Sequence, residues 1–198
     1  MVNIWAIVLA AGTSTRMKQQ KLLLPFGEKT IIESVLQNII PVLNKNVLIV
    51  LGSHYYEIME QIRKLPVATC FNKDYQEGML SSVICGFRNL PMEAEAAIIF
   101  LGDQPQIPPA VIQQLIKAWR KTGKGIIIPV FNGKRGHPVL IETKFRPGIE
   151  QLDPEEGLRQ LMVKFDSEVA EIECKHDEIL KDIDTPRDYL EERLKSDL

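Results

Sequence analysis

Runs of apolar and β-branched residues recur along the chain, and segments with the pattern of helices separate them. The five clearest runs are Ile4–Leu9, Val47–Leu51, Val67–Phe71, Ala96–Leu101 and Ile126–Phe131. This alternation is typical of βαβ units, in which helices cover both faces of a mainly parallel sheet. We therefore predict an α/β fold with its functional loops at the carboxyl ends of the strands.

Local signals mark the start of three helices. Thr30 and Glu33 have the spacing of a capping box, and Pro109 suits a first helical position. Asp153 is followed by a proline and a glutamate, a combination that predicts a third start.

The pattern becomes less regular beyond Arg135. A short apolar run at Val139–Ile141 and an alternating stretch at Val169–Cys174 predict an antiparallel or edge strand. We also expect this region to bind a second substrate that accepts a transferred group. No linker separates this region from the rest, so we expect residues 1–198 to form one domain.

Composition narrows the class of protein. The 198 residues suit one sizeable core, and 45% hydrophobic with 25% charged residues is ordinary for a globular protein. A net charge of -2 gives no basic field to attract nucleic acid or an anionic membrane, so any anion needs a local site. Neither a signal peptide nor an apolar run of membrane-spanning length stands out, so we expect a cytoplasmic location.

The three cysteines do not suggest a disulfide framework or a zinc site. Cys70, Cys85 and Cys174 are odd in number and widely spaced in the sequence. We expect reduced thiols in the core.

The loop after the first apolar run has the composition of a phosphate site. Small residues allow backbone N–H groups to face phosphate oxygens, and Gly12 can adopt a backbone conformation closed to other residues. Arg16 offers a planar fork and Lys21 a compact charge, which together suit a triphosphate. The alternative is a surface turn with two solvated cations. The small residues of this loop are Ala10, Ala11 and Gly12.

Asp103 follows a strongly apolar run after one intervening glycine, so it should lie at the carboxyl edge of the sheet beside this loop. A carboxylate there is suited to a hard cation such as Mg²⁺. The alternative is a cap for the next helix, which begins near Pro108 and Pro109. The alternative role of Asp184 is to end a strand before a final helix, whose start Thr185 and Asp188 mark with the spacing of a capping box.

Two further segments carry polar groups suited to substrates. Ser81 and Ser82 follow Gly78 at an apparent helix start, where hydroxyls and free N–H groups would meet a nucleotide or simply cap the helix. The stretch "KRGHP" supplies Arg135, Gly136 and His137 for a phosphate monoester, although a lone histidine is more often structural.

Five motifs stand out along the chain: "LAAGTSTRMKQQKLLLPFG", "EGMLSSVICGF", "LGDQPQI", "GKRGHPVL" and "DIDTPRDY". They resemble motifs of the MobA-like nucleotidyltransferase family, and most closely those of its branch of molybdenum cofactor cytidylyltransferases with their purine-catabolism and dehydrogenase-maturation relatives. The resemblance implies a single-domain Rossmann-like (GT-A-like) nucleotidyltransferase fold. One departure is Lys18, where the family loop usually has glycine after "RM".

The resemblance also assigns roles. The Ala-Ala-Gly loop is associated with CTP, and Asp103 and Asp184 are implied ligands of Mg²⁺, or of Mn²⁺ in its place, with Asp182 as a weaker alternative to Asp184. His137 is implied to position the acceptor, and molybdopterin is the implied acceptor. A molybdenum hydroxylase is a compatible client. The expected reaction yields a cytidine diphosphate-linked cofactor and pyrophosphate.

Three other functions stay open. Another cytidylyl or sugar-nucleotide transferase would share the nucleotide motifs. A nicotinamide-dependent oxidoreductase is disfavoured because the glycine-rich fingerprint is missing, with no glycine between Gly12 and Gly27. A non-catalytic carrier or maturation chaperone for molybdenum cofactor would not need the complete set of Lys21, Asp103 and Asp184.

Overall fold

A mixed β-sheet forms the centre of the molecule in the computed structural model, which describes residues 3–17 and 19–196. Among these residues the main sheet has the strand order β10-β7-β9-β6-β1-β4-β5, with β8 paired to β7, and β2 and β3 form a separate small hairpin. The strands are β1 (Ile4–Ala10), β2 (Pro25–Phe26), β3 (Lys29–Thr30), β4 (Val47–Leu51), β5 (Ala68–Phe71), β6 (Ala96–Leu101), β7 (Ile126–Phe131), β8 (Lys134–Arg135), β9 (Val139–Glu142) and β10 (Val169–Glu173).

Helices flank this sheet on both sides. They are α1 (Ile31–Leu43), α2 (Tyr55–Ile62), α3 (Met79–Arg88), α4 (Pro109–Thr122), α5 (Arg146–Ile149), α6 (Leu158–Lys164) and α7 (Pro186–Ser196). In the part of the chain that the structure describes, no helix has both the length and the apolar character needed to cross a bilayer.

The core lies in two layers because successive side chains of a strand point to opposite faces of the sheet. Val8 of β1 packs in the layer that contains Leu36 of α1, whereas its neighbour Ile7 packs in the layer that contains Phe87 of α3. All four of these side chains are almost completely buried. The predicted α/β fold with a mainly parallel sheet covered on both faces is confirmed, and all five predicted apolar runs form strands.

Two of the three predicted helix starts are confirmed. Thr30 accepts a hydrogen bond from the backbone of Glu33, whose side chain accepts from the Thr30 backbone, and Pro109 is the first residue of α4. The start predicted at Asp153 is wrong, because α6 begins at Leu158. Asp153 instead closes a turn, in which its carboxylate accepts from the Glu155 backbone at 2.9 Å.

The irregular region contributes one strand inside the sheet and one at its edge. The Val139–Ile141 run forms β9, which is antiparallel to both of its neighbours, β6 and β7. The alternating stretch from Val169 forms β10, the edge strand, parallel to β7. Because β9 runs in the opposite direction, the residues just before it lie at the same edge as the carboxyl ends of β6 and β7. The "KRGHP" segment therefore reaches the edge where the other predicted site loops lie.

Candidate functional site

A cavity of about 580 Å³ lies at the carboxyl edge of the sheet, where the segments after β1, β5 and β6 meet. It brings together most of the predicted nucleotide and metal residues: Ala10, Ala11, Gly12, Arg16, Lys21, Gly78, Ser82, Asp103 and Asp184. Asp182, the weaker metal candidate, also lines it. Ser81, Arg135, Gly136 and His137 are not among its lining residues.

The loop after β1 is held by its own polar side chains. Ser14 donates a hydrogen bond from Oγ to Gln20 Oε1 at 2.9 Å and accepts one from the backbone of Lys21 at 3.3 Å. Gln20 Oε1 also accepts from the Leu22 backbone at 3.2 Å. These contacts fix the short turn from which the Lys21 side chain enters the cavity. The departure at Lys18 lies outside the described residues.

Gly12 contributes space to this loop. Its φ is not in the left-handed region, so Gly12 does not adopt the left-handed conformation that glycine allows. A Cβ atom built at Gly12 would meet no atom within 4 Å. Glycine here leaves open room at the cavity wall, as a bulky phosphate group would require.

A lysine bridges the two predicted metal ligands. Lys21 Nζ donates to Asp103 Oδ2 and to Asp184 Oδ1, the second at 2.8 Å, and Arg16 Nη1 lies 2.9 Å from Asp184 Oδ2. Asp184 reaches this position because the backbone N–H of Ile183 donates to the Asp103 carbonyl at 3.2 Å. Two carboxylates and two cations thus share one charged cluster.

The cluster favours the ionised forms of Lys21 and Asp184. Burial by itself would lower the pKa of Lys21, but the Asp103 and Asp184 carboxylates raise that pKa above its ordinary value. Burial would raise the pKa of Asp184, but Lys21 and Arg16 hold it below its ordinary value. The ion pair between Lys21 and Asp184 is therefore favoured at neutral pH.

Asp182 is in a different electrostatic position. Burial, together with the neighbouring carboxylate of Asp103, raises the pKa of Asp182 above its ordinary value. Gln104, which is almost fully buried, donates from Nε2 to Asp182 Oδ1 at 2.7 Å. Asp182 therefore holds its charge less firmly than Asp184 does.

The donors in the cavity are suited to a divalent cation that also binds substrate. Asp103 Oδ1 is buried without a hydrogen-bond partner, so one carboxylate oxygen is left for another ligand. Among the described residues, no three histidine, cysteine or acidic side chains converge on one point. Mg²⁺ commonly binds through one or two carboxylates with phosphate oxygens and water completing its coordination, and Asp103 with Asp184 fits that arrangement.

The start of α3 forms another wall of the cavity. Gly78 has φ 96°, in the region that favours glycine, and precedes the first residue of α3. Ser81 Oγ donates to the Gly78 carbonyl at 2.8 Å, so this hydroxyl serves the helix start. Ser82 is buried and lines the cavity. Both hydroxyls accept from Nδ2 of Asn72, at 2.8 and 3.0 Å.

The "KRGHP" segment lies beside the charged cluster but outside the cavity lining. Arg135 donates from Nε to Glu171 at 2.6 Å, on the exposed surface. Gly136 is confined, because a Cβ atom there would lie 2.4 Å from the carbonyl oxygen of Ile179. Burial lowers the pKa of His137, and the Asp103 carboxylate acts in the opposite direction, so His137 is near Asp103 and neutral at pH 7.

The family model described as "MobA-like NTP transferase domain" matches residues 6–169. The chain belongs to the MobA-like NTP transferase family. This match spans the loop after β1, Asp103 and the "KRGHP" segment, and it makes the protein an enzyme of the nucleotidyltransferase class.

Proteins of known name also match nearly the whole chain. The molybdenum cofactor cytidylyltransferase of Escherichia coli (strain K12) is 30% identical over 96% of this chain and 95% of its own length. The nicotine blue oxidoreductase of Paenarthrobacter nicotinovorans is 25% identical, with 92% of each chain covered. A crystal structure of Mycobacterium tuberculosis Rv0371c in complex with manganese shares the fold, with a TM-score of 0.80, 21% identity and 98% of each chain covered.

Several residues that line the cavity of this MobA-like protein were missed in the sequence. Tyr75 and Gln76 lie between β5 and the motif "EGMLSSVICGF", and Met79 lies inside that motif but was given no role. Asn72 has no motif of its own either. Its position, one residue after a strand and before "EGMLSS", is the signal that would have identified it.

Proposed function

We propose that this MobA-like enzyme transfers CMP from CTP to the terminal phosphate of molybdopterin and releases pyrophosphate. The observation that carries the proposal is the charged cluster of Lys21, Arg16, Asp103 and Asp184 on one side of the cavity. In this cluster, two cations that can bind phosphates lie next to two carboxylates that can bind Mg²⁺. The cluster lies beside a loop of small residues. The E. coli cytidylyltransferase, similar over 96% of the chain, supports the choice of reaction.

The transfer is a single displacement at phosphorus. An oxygen of the acceptor phosphate forms a bond to the α-phosphorus of CTP, and the bond from that phosphorus to the β-phosphate oxygen breaks. Pyrophosphate departs with the electron pair. The acceptor phosphate is already ionised at neutral pH, so no strong base is needed, and catalysis depends on position and charge.

The chain contributes cations that change partners when substrate binds. Lys21 and Arg16 are paired with carboxylates in the structure described here. In the substrate complex they donate to oxygens of the triphosphate and stabilise the charge that develops as pyrophosphate leaves. Asp103 and Asp184 are then available to hold a divalent cation.

Mg²⁺, or Mn²⁺ in its place, would be held by Asp103 and Asp184 and would neutralise charge on the phosphate oxygens. The unpartnered Oδ1 of Asp103 supports this assignment. The manganese complex of Rv0371c, which shares the fold, is consistent with divalent metal use.

We assign the base and the acceptor to separate parts of the site. The small side chains of Ala10 and Ala11 are associated with cytidine, and Ala11→Gly is expected to relax the preference for CTP toward GTP. His137 and Arg135 are assigned to the acceptor. His137 lies near Asp103, whereas Arg135 would have to leave Glu171 to reach a phosphate.

The decisive assay measures pyrophosphate release with each of the four nucleoside triphosphates, with and without molybdopterin. We expect release with CTP only when the acceptor is present, and loss of that release in Asp103→Asn or in excess chelator. A preference for GTP would refute the cytidylyl assignment. Turnover of a different acceptor without molybdopterin would identify another transferase.

The remaining alternatives have their own arms in this assay. Binding of molybdopterin without any pyrophosphate release would indicate a carrier or chaperone. The resemblance to an oxidoreductase calls for titration with NADPH. We expect no binding, because the chain lacks the glycine-rich fingerprint of dinucleotide sites.

A further inference from the structure

The cavity has a charged end and an uncharged end. Its charged residues belong to the loop after β1, to the end of β6 and to the "DIDTP" segment. From the segment 75–82, the side chains that line the cavity are uncharged and belong to Tyr75, Gln76, Met79 and Ser82. If a nucleoside triphosphate fills the cavity, as the proposed function requires, its phosphates lie at the first end and its base at the second.

Asn72 stands directly behind this second end, and its orientation is fixed by chemistry. Its side chain is almost fully buried, at 3% exposure. The backbone N–H of Asp74 donates to Asn72 Oδ1 at 3.0 Å. A backbone N–H can only donate, so the atom facing Asp74 is the amide oxygen. The amide nitrogen must then be the atom that faces Ser81 and Ser82.

This orientation determines the role of each serine hydroxyl. Nδ2 of Asn72 can only donate, so both hydroxyl oxygens act as acceptors toward it, at 2.8 and 3.0 Å. The proton of Ser81 goes to the Gly78 carbonyl. Within residues 3–17 and 19–196, the Ser82 hydroxyl proton has no hydrogen-bond acceptor, although this side chain is buried and lines the cavity.

We propose that Asn72 is a positioning residue that holds Ser82 as a hydrogen-bond donor toward the base of the bound nucleotide. The base must then present an acceptor at this point, such as a ring carbonyl or an unprotonated ring nitrogen. Asn72 touches no substrate and acts through Ser82. The inference rests on the proposed function to the extent that a nucleoside triphosphate occupies the cavity.

The test compares a nucleotide with its phosphate chain alone. CTP and inorganic tripolyphosphate are each titrated into the full-length protein with Mg²⁺ and without an acceptor, so that no turnover occurs. Asn72→Ala and Ser82→Ala should each weaken CTP binding by roughly twofold to tenfold, the usual worth of one neutral hydrogen bond, and leave tripolyphosphate binding unchanged. The double variant should bind CTP about as well as either single variant, because both changes remove the same contact.

Reversing the polarity gives a second test in a side chain of nearly the same shape. In Asn72→Asp the new carboxylate accepts the hydroxyl proton of Ser82. The Ser82 hydroxyl then presents its oxygen, instead of its proton, to the acceptor atom of the base. The ratio of CTP to tripolyphosphate affinity should fall further than in Asn72→Ala. Taking the ratio cancels the general repulsion that a new negative charge exerts on both ligands. Thermal unfolding of each variant checks that the fold is retained.

Two results would overturn the proposal. Additive losses in the double variant would show that Asn72 does not act through Ser82. Equal weakening of CTP and tripolyphosphate would show a purely structural role. If the wild-type protein binds GTP more tightly than CTP, the cytidylyl assignment fails, and the same double-variant cycle with GTP decides the role of Asn72.

Discussion

The bridge from Lys21 to the two carboxylates predicts opposite effects on nucleotide and metal binding when the lysine is removed. In Lys21→Met the apolar stem remains and the ammonium group is lost. The variant then has no ammonium group to donate to the triphosphate. Asp103 and Asp184 lose the cation that competes with a divalent metal ion for their oxygens. We expect weaker nucleotide use together with tighter metal binding in the absence of nucleotide.

The structure sets the size of both effects. One charge-assisted hydrogen bond is worth about 1.5–3 kcal/mol, so kcat/KM for CTP should fall on the order of tenfold to a hundredfold. Unit charges about 4 Å apart interact by about 4 kcal/mol near a protein surface. The three side chains are 14%, 17% and 31% exposed, so solvent screens part of this energy. We expect a gain of about 1–2 kcal/mol in Mg²⁺ binding, or roughly fivefold to thirtyfold.

Calorimetric titration of Mg²⁺ without nucleotide measures the metal effect, and steady-state pyrophosphate release measures the nucleotide effect. Lys144→Met is the matched control. Lys144 also bridges two carboxylates, Glu142 and Glu168, at 2.8 and 2.9 Å, but it lies outside the cavity lining. It should change neither measurement. Weaker Mg²⁺ binding in Lys21→Met, or an unchanged kcat/KM, would refute the exchange of partners.

Three further predictions follow from single positions. Gly12→Ala should leave thermal unfolding unchanged, because a Cβ atom meets nothing within 4 Å, and should weaken triphosphate binding roughly fivefold to a hundredfold by filling the cavity wall; normal binding would contradict this. Thr30→Ala should lower the free energy of unfolding by about 0.5–2 kcal/mol in urea, because it removes the capping box of α1. His137 has a folded-state pKa below its unfolded value, so its contribution to stability is complete above pH ~6.5 and is lost as pH falls through the folded pKa. Between pH 7 and 5, the free energy of unfolding in urea should therefore fall by up to about 1.4 kcal/mol per pH unit, and by less in His137→Gln. The same pH dependence in both proteins would show that His137 does not titrate in this way.

The strands were predictable because a run of consecutive apolar residues indicates a strand that is buried on both faces. Val47–Leu51, for example, is a continuous apolar segment, and every one of its residues is buried. The position of β9 was not predictable, because a run of three apolar residues reads equally well as an edge strand or an interior strand. The start of α6 was misplaced for a related reason. Asp153 followed by proline is as typical of a turn as of a helix start, and the structure has a turn at this position.

The site was predictable as a set of residues but not as a set of contacts. Motifs singled out Lys21, Asp103 and Asp184, which the fold brings into one cluster across 82 and 163 positions of sequence. That the lysine bridges the carboxylates depends on this long-range meeting, and no local pattern encodes it. Asn72 was missed because its importance comes from the two serines in front of it.

The interior position of β9 also constrains the order in which the chain can fold during synthesis. When β7 has left the ribosome, β9, which lies between β6 and β7 in the sheet, has not yet been synthesised. Strands β6 and β7 therefore each have an open, apolar edge at the place that β9 will fill. Only the arrival of Val139–Glu142 closes this gap. A nascent or truncated chain that ends before β9 is therefore exposed to pairing with other chains at both edges of this gap, and at the side of β7 that β10 later covers. We expect such fragments to aggregate, whereas chains extended past Glu142 can complete the sheet from β7 to β5.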